Sequence, residues 1–186
     1  MKNFKITTNR LIIRELLPTD LGDFHDYRSN PEVTKYQGFD VMDLKQAEDF
    51  IKKNAFNVFG KPGEWIQYGI ENIETQKLIG DCAIKLDLYD IRIAEIGITI
   101  SHFHQKKGFA KEVLTGILNF LFYTKEIHRV VEIVDVENTA SINLLKSLGF
   151  RQEGHFLENI FIKGKWDSEF QFAMLKREWE LKNGKL

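Results

Sequence analysis

Polar and apolar positions change period several times along this chain, and each change marks an element. Residues 10–16, RLIIREL, interleave arginines with Leu and Ile as an opening strand does. Pro18-Thr19-Asp20 supplies helix-start chemistry, Leu21, Phe24 and Tyr27 follow at helical spacing, and Asn30-Pro31 ends that helix. A second helix is predicted from Asp43, with Gln46 three residues on as a capping-box partner and Leu44, Ala47, Phe50 and Ile51 as its buried stripe. After the turn FGKPGE at 59–64, strands are predicted over 65–72, 77–89 and 92–100, the first two joined by a polar hairpin from Ile73 to Gln76.

From Phe109 the spacing becomes helical again, with Phe109, Ala110, Val113, Leu114, Ile117, Leu118 and Leu121 on one face. HRVVEIVDV (128–136) has few polar interruptions and predicts a strand covered on both faces. Asn138-Thr139-Ala140-Ser141 opens a further helix that Gly149 stops, and strands around 155–161 and 169–176 flank a turn at Lys163-Gly164-Lys165. The order describes an α/β domain on one mixed sheet. No repeat, low-complexity tract or linker interrupts it, so residues 1–186 are expected to form a single domain.

Composition narrows this picture little. With 186 residues, 43% hydrophobic and 28% charged, the chain has an ordinary globular makeup, and 15 Phe imply a thick core or an apolar pocket. A net charge of −1 gives no basic field for nucleic acid. The one cysteine, Cys82, excludes an internal disulfide and a multi-cysteine metal site, and reads as a small buried hydrophobe. No His/Asp/Glu spacing suggests a metal. MKNFKITTNR lacks the apolar core of a signal peptide, and no apolar run approaches the roughly 20 residues of a membrane span. A cytoplasmic protein without membrane partners is the expectation.

The chemistry concentrates where the third of these strands meets the helix at Phe109. In ISHFHQKKGFAKEV (100–113), amides at a helix start, two lysines and Gly108 could hold a phosphate, or could form a plain turn. Neither a GxxxxGK[ST] loop nor a dinucleotide fingerprint is present, which disfavours ATP and NAD. One βαβ-like unit further on stands ENTASINLLKSLGF (137–150). QKKGFA resembles the Q-x-x-G-x-G/A pyrophosphate loop of the GNAT superfamily of acetyl-CoA-dependent N-acyltransferases. The downstream segment, with Asn138, Ser141, Leu144, Leu148, Gly149 and Phe150, is similar to the second CoA motif of its RimJ/RimL-like, ribosomal-protein-alanine N-acetyltransferase branch. TNRLIIRELLPTDLGDFHDYRSNPEV, LIGDCAI, AEIGITI and GKWDSEFQFAML resemble that branch too, so the likeness spans nearly the whole chain.

The resemblance implies a mixed α+β GNAT fold, a mostly antiparallel sheet flanked by helices, with acetyl-CoA as cosubstrate and no metal. It implies that amides of Lys106, Lys107, Gly108, Phe109 and Ala110, with the Gln105 side chain, hold the CoA pyrophosphate. The edge of the strand from Glu95 to Ile100 would pair with the pantetheine arm, an amide near Ile98 facing the thioester carbonyl. Asn138 would touch the pantetheine from the other side, and Lys146 either reaches the 3′-phosphate or is simply solvated. The tyrosine that protonates the departing thiolate in many GNAT enzymes is matched here by Leu145. Ser141 takes the role of stabilising the sulfur, unless it only bonds its own backbone. Motif departures are Lys106 where a glycine is usual, and Leu157 where the branch often has an arginine.

Acetyl transfer needs a neutral amine. An α-amine, pKa about 7.7–8.0, is roughly 2.5 units easier to deprotonate than a lysine, about 3.5 kcal/mol of work. Glu95, beside the expected thioester, is the candidate base, directly or through water, and a sheet carboxylate otherwise. Glu158 and Asp87 stand second. His102 and His104 read as solvated or capping groups. Trp65, Tyr68, Phe39 and Tyr36 suit either a substrate cleft or the core. The favoured function is transfer of acetyl to a protein N-terminus or a small-molecule amine by direct attack in a ternary complex, and a homodimer is compatible with it. A CoA-binding module without catalysis and a nucleotide-binding regulator are the competing readings.

Overall fold

The computed structural model describes residues 4–55 and 58–184. The first three residues of the amino-terminal stretch considered above lie outside them. Along the chain run β1 (Lys5–Thr7), β2 (Leu11–Glu15), α1 (Leu21–Arg28), α2 (Pro31–Thr34), α3 (Leu44–Asn54), β3 (Trp65–Asn72), β4 (Leu78–Leu86) and β5 (Ile93–Ile100). Then come α4 (Phe109–Asn119), β6 (Arg129–Asp135), α5 (Thr139–Leu148), β7 (Arg151–Ile162), β8 (Lys165–Leu175) and α6 (Lys176–Lys182).

The boundaries have local causes. Asp20 accepts the Leu17 amide at 2.8 Å at the turn that feeds α1. Asn30 caps the short α2 that follows the α1 break, accepting the Glu32 amide at 2.9 Å. Asp43 and Gln46 exchange side-chain bonds to each other's amides, 2.8 Å each, in the predicted capping box of α3. Of its predicted stripe Ala47 and Ile51 are buried, whereas Leu44, in the first turn beyond the neighbouring α1, is 55% exposed. At the end of α5, Gly149 takes φ 93°, the left-handed conformation that closes a helix without a Cβ clash.

Eight strands form one sheet in the order β1-β2-β3-β4-β5-β6-β8-β7. Every pairing is antiparallel except β5 with β6. The apolar face of the sheet packs on α4, α5 and α6, with Val113, Leu114, Ile117, Leu118, Leu145 and Trp179 all buried. A second cluster, Leu16, Phe24, Tyr27, Ala47, Ile51 and Leu78, lies between α1, α3 and β4.

One pairing controls the rest of the architecture. The parallel ladder between β5 and β6 holds only for Ile93↔Arg129, Ala94↔Val130 and Glu95↔Val131. Yet β5 stays on β4 through Ile100↔Gly80, and β6 stays on β8 through Asp135↔Glu169. The two strands therefore part in the middle of the sheet, leaving a V-shaped split. This corrects the expectation for β6: one face is covered, but Ile133 on the other is 38% exposed, facing a cleft.

Candidate active site

The split is built for an extended ligand. Ser101 donates its amide to Ile79 directly opposite at 2.9 Å, so the odd-numbered residues of β5 bond to β4. Alternation then turns the backbone groups of Ile98 and Ile100 toward the split, where β6 no longer pairs with them. Ile98 and Ile100 stand in the wall of a cavity of about 540 Å³ that continues past Gln105, Lys106, Gly108, Phe109 and Ala110 to Asn138 and Ser141. The sequence thus named most of one wall.

At the cavity's far end lies the loop before α4. Lys106 adopts φ 60° and Gly108 φ 79°, and no side chain caps the helix. The first amide to enter the helical ladder is that of Glu112, which bonds Gly108 at 3.1 Å. Amides from Lys106 to Lys111 have no partner among the described residues, a nest suited to pyrophosphate oxygens. A Cβ on Gly108 would meet only Arg10 Nη2, at 3.6 Å, so its positive φ, not crowding, is what favours glycine. Lys106 tolerates the same region, which is how a lysine stands in this loop.

Arg10 latches the loop from behind. Its guanidinium lies 4.3 Å over the Phe109 ring and donates to the Lys107 carbonyl at 3.1 Å and to Glu112 at 2.7 Å. Burial works against ionisation of Glu112, but bonds from Thr8, the Arg10 amide and the Arg10 side chain outweigh it and hold its carboxyl below the usual range. Gln105 gives its amide nitrogen to the Ile100 carbonyl at 3.1 Å, so this side chain fastens the loop to β5 as well as lining the cavity. Lys107 and Lys146 are exposed and stand outside that wall, whereas Lys106 and Lys111 stand in it, so backbone amides and lysine charge face the same end of the cavity.

Across the cavity Asn138 caps α5, accepting the Ser141 amide at 3.1 Å. Its Nδ2 makes no hydrogen bond with the described residues. The Ser141 hydroxyl makes no hydrogen bond within the described chain, so the backbone-bonded alternative is not what the structure adopts. Leu145 is buried in the core.

On the opposite face of the sheet a second cavity, about 570 Å³, is walled by Arg28, Gln67, Asp81, Glu95, Gly97 and Ile133 among others. Tyr36, Gln37, Ile98 and Thr99 belong to both walls, so the two cavities meet through the split. Glu95 is ion-paired with Lys85 at 2.5 Å, and Lys85 lies 4.6 Å over Trp65. Of the aromatics, Tyr36, Phe39 and Trp65 line this cleft, whereas Tyr68 is core, stacked on Phe4 at 3.8 Å. The second-choice carboxylates fall elsewhere. Asp87 accepts the Tyr89 and Asp90 amides of a turn, 2.9 Å each, and Glu158 is exposed on β7 outside both cavities. His102 and His104 are half-buried in a turn with unbonded Nδ1 atoms, so neither caps a helix, and burial lowers the His104 pKa.

Sequence reasoning missed two buried groups. Arg28, from α1, reaches the cleft wall through the fold alone. Glu132, on the helix-side face of β6 immediately past the split, is 4% exposed with Oε2 unbonded. Burial, and then the charge of Glu95, push its carboxyl up to about 8. Its signal was visible: a glutamate at a core-periodic position in VVEIVDV. Among the described residues no cluster of three or more His, Cys, Asp or Glu is placed to hold a metal, and no helix is long and apolar enough to cross a membrane.

A mixed sheet that parts beside a glycine-turned helix start offers an extended cleft ending at free helix amides. The acetyltransferase (GNAT) domain family matches residues 10–151, and the chain belongs to that family. An uncharacterized N-acetyltransferase of Bacillus licheniformis is 34% identical over 173 residues, 92% of this chain and 96% of the relative. The ribosomal protein uS5-alanine N-acetyltransferase of Escherichia coli is 24% identical, over 94% of this chain and 92% of its own. The spermidine N-acetyltransferase of Vibrio cholerae, solved in complex with CoA and spermine, superposes with a TM-score of 0.77 at 26% identity, covering 91% of this chain and 98% of that one. The chain is an N-acetyltransferase, and its fold and family support acetyl-CoA as cosubstrate.

Proposed function

We propose that the enzyme moves acetyl from acetyl-CoA to a primary amine, a protein N-terminus or a small-molecule amine, by direct attack with both substrates bound. What supports this most is the pair of cavities that share Ile98 and Thr99 across the split. In this reading the donor lies along β5, its pyrophosphate on the amides of Lys106 to Ala110, and its thioester carbonyl near the Ile98 amide. The acceptor amine comes from the Glu95 side and gives a proton to that carboxylate, directly or through water. The amine nitrogen bonds to the thioester carbon, the C–S bond breaks, and the Ser141 hydroxyl steadies the thiolate until it is protonated. A covalent acyl-enzyme has no support here, because Cys82 is fully buried and burial holds its thiol well above the ordinary value.

Thermal unfolding with acetyl-CoA, ATP and NAD tests the donor. Acetyl-CoA at 100 times Kd should add about 2.7 kcal/mol, roughly 5–10 °C in Tm for a chain of this size. No shift with acetyl-CoA would refute the reading. Thiol release over an amine panel tests the chemistry, and tight donor binding without turnover of any amine would leave a CoA-binding module instead.

A further inference from the structure

Arg28 is 2% exposed and carries a permanent charge, so each of its nitrogens needs a partner. Two have one: Nε and Nη2 donate to Asp81 at 3.0 and 2.5 Å. Nη1 has none. Phe39 lies 4.3 Å from the guanidinium carbon, closing one side with an apolar ring, and Arg28 forms part of the acceptor cleft's wall.

Asp81 neutralises this arginine and cannot turn to anything else. It accepts from Tyr27 at 2.6 Å, twice from Arg28, and from the Gln67 amide nitrogen. Gln67 therefore keeps its carbonyl oxygen as an unused acceptor on the same wall. Of the other cleft carboxylates, Glu95 is paired with Lys85 at 2.5 Å and Asp167 with Lys165 at 2.8 Å, whereas Glu169 accepts from Asn159 at 2.6 Å and Asp135 from the Glu137 amide at 2.7 Å, neutral partners that leave their charge in place. What remains unspent at Arg28 itself is an N–H donor beside a C=O acceptor, within an ion pair of no net charge. An amide group is the complement of that arrangement.

Position agrees with chemistry. Asp81 stands opposite Thr99 in the β4–β5 register, one residue from Ile98. The carboxylate that holds Arg28 is thus anchored beside Ile98 and Thr99, the residues that both cavities share.

We propose that Arg28 recognises the first amide carbonyl of the acceptor, so that the cleft selects amines carrying an adjacent amide over oxygen-free polyamines. The inference rests on the reading of this cleft as the acceptor side. An acceptor lacking the oxygen forgoes the bond to the already buried Nη1, which leaves its kcat/KM about tenfold to a hundredfold below that of an acceptor that makes it.

The test measures thiol release by the full chain at saturating acetyl-CoA with four acceptors: Ala-Ala-NH2, its ester analogue that keeps the oxygen, its trans-alkene isostere that lacks it, and spermidine. Amide and ester are expected to agree within a few fold, with alkene and spermidine at least tenfold lower. Arg28→Met should erase the amide–alkene difference while the Tm shift with acetyl-CoA is unchanged. Should that variant not fold, the isostere comparison on the native enzyme decides alone. Equal turnover of amide and alkene, or a preference for spermidine, overturns the proposal and leaves the acetyltransferase reading intact. Turnover of none of the four, with acetyl-CoA still stabilising, overturns it also. Absence of any acetyl-CoA effect removes the functional reading and this inference together.

Discussion

Glu132→Gln should make the protein more stable, by an amount that grows with pH. The carboxyl sits between Val130 and Val134 on β6, 4% exposed, facing Phe172 across the ladder and with Oε2 unbonded. Burial raises it from 4.5 to about 8, and the one charge acting on it from a neighbouring element is that of Glu95 on β5. A carboxyl with a raised folded-state pKa destabilises the fold. Below about 4.5 both states hold the proton and nothing is lost. Between 4.5 and about 8 only the folded state holds it, so stability falls as pH rises; above about 8 the loss is complete. At about 1.36 kcal/mol per pH unit, that window of roughly 3.5 units gives a ceiling on the order of 5 kcal/mol. Relaxation and water entry reduce such penalties, so about 2–3 kcal/mol is the expected difference at pH 8. For a chain of this length that is roughly 5–10 °C in Tm. Urea or thermal unfolding of both proteins between pH 4.5 and 8.5 measures it. Curves that run parallel across that range would refute the buried, protonated carboxyl.

Three further outcomes concern the site. Gly108→Ala, at φ 79°, should cost about 1–2 kcal/mol of backbone strain and weaken acetyl-CoA at least tenfold by calorimetry, even though its Cβ has room. Ser141→Ala should lower kcat about ten- to a hundredfold with unchanged CoA affinity; equal kcat removes the hydroxyl from the reaction. Glu95→Gln should depress kcat/KM most at low pH, where the acceptor amine is protonated, with the deficit closing as pH passes the amine's own pKa near 8. A deficit constant with pH would take Glu95 out of the base role.

How far the residues announced all this varies with the kind of information needed. Helices α1, α3, α4 and α5 were legible because their caps and apolar spacing are local. The three-residue β1 carries no periodicity to read, and α6 joins a local cap, Glu178 accepting the Leu175 amide at 2.8 Å, to a tertiary bond, Trp179 donating to Asn119 at 2.9 Å. Strands β7 and β8 run longer than 155–161 and 169–176, since β7 is an exposed edge where apolar alternation is not required. The residues lining the cavity at the α4 and α5 starts could be named because a loop and a helix start are short motifs. Where β5 and β6 stop pairing is a property of the whole sheet, so the open face of Ile133 and the position of Glu132 were hidden. Arg28 was hidden for the same reason, its partner Asp81 lying 53 residues away.

An interior split is also two raw strand edges facing each other inside a folded protein. Elsewhere a sheet must guard such edges against added strands. Here the free stretches are short, residues 97–100 on one side and 132–135 on the other, and the acid of Glu132 stands at their root. Closing them onto each other would trap that carboxyl deeper, and any extended chain seated between them must bring its own hydrogen-bonding groups. A donor seated there, as proposed, would be in this sense a missing ninth strand, and without one the sheet is held one strand short of completion.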